Sequence, residues 1–144
     1  MPDFAFLYFK KGVERMTKVI VMGHGGYATA MKRNLGMLVG ELDGFYYVDF
    51  NEEDSLEILR GHLDEVLPLI GEDDVLFACD LAGGSPFRTA AVLCTEHPNW
   101  AVVAGVNTSA YSEMSFNLEL SAMELAELAG EVTRETILIF PAKE

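Results

Sequence analysis

Two stretches of this sequence decide its fold: residues 17–26, which read TKVIVMGHGG, and residues 74–87, which read DVLFACDLAGGSPF. Each begins with a short run of apolar, partly β-branched residues and ends in a glycine-rich loop. Such runs between turn residues are typical of strands that are buried on both faces of a parallel sheet. We therefore predict strands over Thr17–Met22 and Asp74–Asp80, each followed by a loop at the same edge of the sheet.

Outward from these strands, apolar runs alternate with segments of helical periodicity. Three further strands are predicted at Gly44–Phe50, Trp100–Val106 and Thr136–Phe140. Apolar residues spaced three and four apart predict helices over Ala28–Leu38, Leu56–Leu67, Ser85–Thr95, Tyr111–Leu118 and Ser121–Arg134. This alternation predicts the α/β class, with an open, mostly parallel sheet and helices on both faces.

Two of these helices have clear starting signals. Ser85 is expected to be an N-cap, with Pro86 in the first helical position. Ser121 and Glu124 match the capping-box pattern, in which each residue satisfies a backbone N–H of the other. The glycines at 83 and 84 therefore stand directly before a helix N-terminus.

Composition narrows the class of protein. The chain has 144 residues, half of them hydrophobic, and a formal net charge of −13. Such an excess of acid argues against a nucleic-acid binder, which needs clustered Lys and Arg. Two cysteines, Cys79 and Cys94, do not make a disulfide framework or a zinc site of usual spacing, and both are expected to be buried thiols. No apolar run approaches the roughly 20 residues that span a bilayer, so we expect a cytoplasmic protein.

The first fifteen residues differ from the rest of the chain. Reverse translation of Lys10–Met16 allows a GGAG string shortly before an ATG codon, as in a bacterial ribosome-binding site. We therefore expect Met16 to be the native start and residues 1–15 to be a mis-called or disordered extension, followed by a single domain over residues 16–144. The alternative is an N-terminal arm that packs Phe4, Phe6 and Phe9 against a partner.

The most informative polar residues are His24, which follows the first predicted strand, and Asp80, which ends the third. In an open parallel sheet the functional site lies beyond the carboxyl ends of the strands. If these two strands are neighbours, the Asp80 carboxylate accepts the Nδ1–H of His24 and leaves Nε2 as a nucleophile. It also stabilises positive charge on the ring while a new bond forms at Nε2.

The glycine loops favour an anionic group beside His24. Glycines let backbone N–H groups approach a ligand, and helix N-termini attract negative charge. Gly25, Gly84 and Ser85 are therefore the candidate phosphate-binding residues. Each residue also has a structural interpretation: Asp80 as a turn or capping residue, Ser85 as a simple N-cap, and Arg88, one helical turn further on, as an exposed cation. No metal or cofactor is required by the residues present.

Other enzyme motifs are missing from the sequence. It contains no G-x-x-x-x-G-K-[ST] motif for nucleotide-driven transfer, and GHGG is not the G-x-G-x-x-G fingerprint of dinucleotide binding. A Ser85–His24–Asp80 hydrolase is disfavoured because Pro86 removes a backbone N–H that an oxyanion hole needs.

Three segments of the chain resemble the mannose-family IIA component of the bacterial phosphoenolpyruvate-dependent sugar phosphotransferase system: KVIVMGH at Lys18–His24, CDLAGGSPF at Cys79–Phe87 and VAGVN at Val103–Asn107. The resemblance implies that His24 carries the phosphoryl group on Nε2 and that Asp80 orients it. It implies that the phosphocarrier protein HPr is the donor and a IIB component the acceptor, with membrane IIC and IID components importing the sugar. It also implies a homodimer that exchanges an antiparallel last strand, Thr136–Phe140 here.

This sequence departs from the mannose transporter at Leu81-Ala82, where Thr-Trp is typical, and at Arg88, where Asn is usual. Two alternatives stay open at this point. One is the phosphoryl-donor subunit of a dihydroxyacetone kinase system, which shares the fold and an early phosphohistidine. The other is a non-catalytic module that reports sugar supply through phosphorylation of His24. A small-molecule-binding α/β domain is a more distant third.

Overall fold

The computed structural model describes residues 16–143, so the hypothesis on residues 1–15 lies outside the described residues. Four strands are present: β1 (Thr17–His24), β2 (Phe45–Phe50), β3 (Asp74–Cys79) and β4 (Ala101–Ala104). Five helices connect and follow them: α1 (Tyr27–Val39), α2 (Leu56–Ile70), α3 (Ser85–Glu96), α4 (Thr108–Ser115) and α5 (Ala122–Thr136).

The four strands form one parallel sheet in the order β2-β1-β3-β4. β1 therefore lies between β2 and β3, with Met22 opposite Val48 on one side and Cys79 on the other. This confirms the predicted open α/β sheet. It also shows that the two strands that decide the fold are neighbours, the condition for contact between His24 and Asp80, so that the loops after them meet at one edge.

The core is divided by the sheet into two clusters. Val19 and Val21 of β1 face the layer made by α1, α4 and α5, whereas Ile20 and Met22 face the layer made by α2 and α3. All four side chains are fully buried. Successive side chains of a strand point to opposite faces, so a strand covered on both faces has to be apolar at every position. That requirement explains the unbroken run from Val19 to Met22.

The start of one helix is as predicted from the sequence, and the starts of two others differ. Ser121 and Glu124 form the predicted capping box, with both reciprocal hydrogen bonds present. Ser85, in contrast, is not an N-cap. It is the first residue of α3, and the extended backbone of Gly84 takes the cap position without a side-chain bond. The predicted helix at 111–118 begins earlier, at Thr108, because the side chain of Asn107 caps it.

The prediction of a fifth strand at Thr136–Phe140 is wrong within the chain. Thr136 is the last residue of α5, where its hydroxyl donates to the Val132 carbonyl. Residues 137–140 follow without strand structure, and their side chains are exposed. A strand needs a hydrogen-bonding neighbour, and no strand of the described sheet pairs with this segment, although β4 has a free edge. Over the described residues, no helix combines the length and the apolar character that a membrane span requires.

A histidine–carboxylate site at the carboxyl edge of the sheet

The structure brings His24 and Asp80 into direct contact. His24 is the last residue of β1, and Asp80 directly follows β3. The His24 Nδ1 lies 2.8 Å from Asp80 Oδ2, and the backbone N–H of His24 donates to the same oxygen at 3.0 Å. The other oxygen, Oδ1, accepts the backbone N–H of Leu81 at 3.0 Å. Three hydrogen bonds thus hold the carboxylate in one orientation toward the ring.

This contact determines which ring nitrogen of His24 keeps a free lone pair. With Nδ1–H donated to the carboxylate, the neutral imidazole keeps its lone pair on Nε2. The Asp80 side chain is 15% exposed and that of His24 is 44% exposed. The carboxylate is therefore largely shielded from solvent, while the ring of His24 is half-exposed. Of the predicted site residues, this pair is placed as the sequence indicated.

The second glycine loop packs directly against the ring. A Cβ added to Gly84 would lie 2.7 Å from His24 Cε1 and 3.4 Å from Nε2. Real Cβ atoms do not approach other heavy atoms to 2.7 Å, so any side chain at position 84 would displace the His24 ring. The loop before α3 therefore reaches the Cε1 and Nε2 side of the His24 ring because it has no side chain there.

Both helices that begin beside His24 lack a side-chain cap. The N-cap residues of α1 and α3 are Gly26 and Gly84, and neither has a side chain that could bond the first turn. The other three helices are all capped, by Ser55, Asn107 and Ser121. The first N–H groups of a helix have no partner within the helix and carry a partial positive charge. In α1 the N–H of Thr29 is bonded by Asp49, and the first-turn N–H groups that no side chain bonds remain for an anion at His24.

Asp49 and Phe50, at the end of β2, were not predicted for the site. Asp49 accepts the backbone N–H and the hydroxyl of Thr29 in the first turn of α1. The Phe50 ring lies edge-on to the His24 imidazole at 5.7 Å between centroids, and its carbonyl accepts the Gly25 N–H at 2.7 Å. Only the pairing of β2 with β1 reveals these contacts, because 25 or more positions separate the residues from His24 in the chain.

Two candidates make no recorded contact with His24. The backbone N–H of Arg88 donates to the Gly84 carbonyl, as in any helix, and its side chain is exposed without an ion pair among residues 16–143. The Ser85 hydroxyl makes no hydrogen bond within the same residues, although Ser85 directly follows Gly84 at the ring. Ser85 is thus adjacent to the site, and its side chain is unengaged.

The neighbouring thiol does not compete as a nucleophile. Cys79, next to Asp80, is fully buried, and burial raises its pKa to about 12. Such a thiol stays protonated near neutral pH and cannot attack. Cavities of about 170 to 640 Å³ among the described residues lie away from the pair and are lined by other residues. The His24 side chain is half-exposed, which suits contact with a protein partner.

Comparison with known families identifies the family of the chain. The family model described as EIIA-man, the PTS system fructose IIA component, matches residues 18–135. The chain belongs to this family. It is therefore a IIA component of the mannose family of the sugar phosphotransferase system, and the matched residues contain His24, Asp80 and both glycine loops.

Relatives of this IIA component support the assignment over most of its length. It is 29% identical over 143 residues to the fructose-specific EIIA component of Bacillus subtilis strain 168, covering 83% of this chain and 98% of that one. It is 33% identical over 132 residues to the mannose-specific EIIAB component of Escherichia coli K12, covering 89% of this chain and 41% of that longer protein. The mannose/sorbose-specific IIA subunit of Enterococcus faecalis superposes with a TM-score of 0.80 at 28% identity, covering 90% of this chain and 98% of that one.

Proposed function

We propose that His24 accepts a phosphoryl group from phosphorylated HPr and passes it to a IIB component. The observation that carries the proposal is the 2.8 Å contact between His24 Nδ1 and Asp80 Oδ2, which leaves Nε2 free beside Gly84. Family membership supports it, because a IIA component is a phosphotransfer protein. The protein acts in the cytoplasm, where both of its exchange partners are found.

The proposed step conserves atoms and charge without a further reactant. The Nε2 lone pair attacks the phosphorus of the donor phosphohistidine, the new N–P bond forms, and the N–P bond to the donor breaks in line with it. The donor imidazole leaves with the electron pair. The proton on His24 Nδ1 stays in its hydrogen bond to Asp80, and the carboxylate balances the positive charge of the phosphorylated ring. Transfer to IIB is the reverse step with a new acceptor.

The glycine loops receive the phosphoryl oxygens in this proposal. Gly25 lies in the turn before α1 and lets the backbone approach the group without donating to it, because its N–H is bonded to the Phe50 carbonyl. Gly84 and Ser85 lie at the start of α3. The starts of α1 and α3 offer the N–H groups that no side chain bonds, together with partial positive charge, and Ser85 adds a hydroxyl. These groups are fixed before the donor arrives, so no reorganisation is needed as charge moves onto the group. Catalysis is then mainly positioning and anion stabilisation.

The IIA chain hands its phosphoryl group to a protein and not to a sugar. Its relatives are named for fructose, mannose and sorbose systems, although the family is shared. We propose that the membrane IIC and IID components select the sugar, which the phosphorylated IIB component modifies during import.

We further propose that the chain forms a homodimer in which residues 137–140 add to the sheet of the partner subunit. Within one chain these side chains, Ile137 to Phe140, are between 66% and 91% exposed. Four consecutive exposed apolar residues are unfavourable in water. β4 is an edge strand whose outer backbone groups are unpaired within the described sheet. An exchanged strand would pair with this edge and bury the apolar side chains of residues 137–140.

The function is tested by incubating the protein with phosphoenolpyruvate, enzyme I and HPr, followed by intact-mass spectrometry. A mass gain of one phosphoryl group that is acid-labile and absent in His24→Ala supports the carrier role. Subsequent loss of that group to purified IIB supports the sugar-transport branch. Transfer to a dihydroxyacetone kinase instead of IIB would favour that kinase system. A stable phospho-form that neither acceptor discharges would favour a regulatory module.

A further inference from the structure

The turn that follows His24 consists of glycines, which do not hold a backbone in one conformation. Two glycines, Gly25 and Gly26, separate His24 from the first residue of α1, and Gly25 has a φ of 59°. Glycine has more backbone freedom than any other residue, so such a turn needs contacts that hold it. One contact is the bond from the Gly25 N–H to the Phe50 carbonyl. A second contact comes from the side chain of Tyr27.

The Tyr27 ring packs on the backbone directly before His24. A Cβ added to Gly23 would lie 2.4 Å from Tyr27 Cδ1 and 2.8 Å from Tyr27 Cβ. The ring therefore occupies the space that a side chain at position 23 would take. Any movement of this ring changes the surroundings of β1 one residue before the phosphoryl-accepting histidine.

The hydroxyl of Tyr27 is anchored on a distant part of the chain. It lies 2.6 Å from the Tyr111 hydroxyl of α4, which is fully buried. Burial raises the pKa of both tyrosines, so both hydroxyls keep their protons and one donates to the other. Among the described residues, the Tyr111 hydroxyl has no other recorded partner. The pair thus ties the first residue of α1 to the core.

We propose that the Tyr27–Tyr111 hydrogen bond is a positioning device for phosphoryl transfer, which rests on the proposed function of His24. It holds the ring of Tyr27 against Gly23 and thereby holds the Gly23–Tyr27 turn, so that Nε2 stays aligned with the incoming phosphoryl group. Tyr27 and Tyr111 touch neither the donor nor the transferred group. Their effect is on the geometry of His24 and of the helix start that faces the phosphoryl oxygens.

The proposal is tested with Tyr27→Phe, Tyr111→Phe and the double variant. Each single variant leaves one hydroxyl without its partner, and the unfolding temperature should fall, most for Tyr27→Phe, which strands the buried Tyr111 hydroxyl. The double variant removes both hydroxyls and should regain most of this loss, because no buried polar group is left unsatisfied. A lower transfer rate in the double variant can therefore be attributed to positioning and not to lost stability.

The readout is single-turnover transfer from phosphorylated HPr. In the double variant we expect the maximal rate to be about 10-fold lower, since small displacements in an in-line reaction are costly. The donor concentration at half-maximal rate should be unchanged, because the docking surface is intact. Tyr47→Phe is the matched control: Tyr47 is a half-buried tyrosine on β2 whose hydroxyl has no recorded hydrogen bond within residues 16–143, and its removal should leave the rate unchanged.

A wild-type maximal rate in the double variant would overturn the positioning role. If wild-type protein takes up no phosphoryl group, the proposed function fails, and ¹⁵N NMR of the His24 imidazole still tests the positioning role. Wild type should show one tautomer with the proton on Nδ1, and the double variant a mixture of tautomers. Identical spectra for the two proteins would contradict the role independently of transfer.

Discussion

The Oδ2 atom of Asp80 accepts two hydrogen bonds from His24, one from the backbone N–H at 3.0 Å and one at Nδ1 at 2.8 Å. One oxygen thereby fixes both the end of β1 and the plane of the imidazole. Because the main chain and the ring of one residue share an acceptor, rotation of the ring away from Nδ1 contact would not free the carboxylate. The pair is thus oriented before any partner binds.

Asp80→Asn should slow phosphorylation of His24 on the order of 10,000-fold, by analogy with the same substitution in other histidine–aspartate pairs. The amide can donate to Nδ1, which favours the tautomer with the proton on Nε2, and it cannot balance the charge of the phosphorylated ring. The measurement is the rate of phosphoryl uptake from phosphorylated HPr. Asp64→Asn, in the exposed pair with Arg60, is the matched control and should retain full uptake. Normal uptake by Asp80→Asn would contradict the assigned role.

Gly84→Ala should reduce phosphoryl uptake about 100-fold while the fold persists. The added methyl would meet His24 Cε1 at 2.7 Å, and the half-exposed ring can move outward to relieve the clash. The backbone at Gly84 has a φ of −76°, which any residue adopts. We therefore expect the free energy of unfolding to change by less than about 1 kcal/mol.

Gly61→Ala is the control for this substitution. Gly61 lies in α2, and nothing stands within 4 Å of an added Cβ. Alanine there should stabilise the helix by up to about 1 kcal/mol without affecting uptake. Equal uptake by the two variants would show that close packing of Gly84 on the ring is unimportant.

Glu124→Gln should lower the unfolding temperature at neutral pH and have little effect in acid. Hydrogen bonds from the Ser121 backbone and side chain lower the pKa of Glu124 below its ordinary value of 4.5. The charged form therefore stabilises the fold at pH values above 4.5, and this contribution is lost as the pH falls through the lowered folded-state pKa. The measurement is thermal unfolding of both proteins between pH 7 and pH 3.

The control for Glu124→Gln is Glu127→Gln, an exposed change of the same charge one turn further along α5. It should produce a smaller change in unfolding temperature at pH 7, because Glu127 makes no capping bond in the described structure. A difference between wild type and Glu124→Gln that stays constant down to pH 3 would argue against the linkage.

Truncation after Thr136 should convert the proposed dimer into a monomer. The truncated chain loses the exposed apolar residues 137–140, which are expected to bind the partner subunit. Light scattering during size-exclusion chromatography measures the mass of both proteins. Met37→Glu is the control, because Met37 is 92% exposed on α1 and should have no part in the interface. A dimeric truncated chain, or a monomeric intact one, would refute strand exchange.

Much of the site was predictable because its chemistry is local. His24 and Asp80 each end an apolar strand, and the carboxyl ends of parallel strands meet at one edge. The glycines beside them marked the loops that approach a ligand. Ser85 shows the limit of such signals. A serine before a proline is typical of an N-cap, but the N-cap of α3 is the preceding residue, Gly84. The extended backbone conformation of Gly84, and not its residue type, makes it the N-cap.

The sequence alone determined the alternation of strands and helices, the burial of β1 on both faces and the candidate histidine–carboxylate pair. These features follow from side-chain polarity and spacing over short segments. Tertiary structure decided what depends on distant segments: the contacts of Phe50 and Tyr111 near the His24 turn, and the state of residues 137–140. An apolar run such as ILIF is suited to a strand, but whether it forms one depends on a partner edge, which no local pattern encodes.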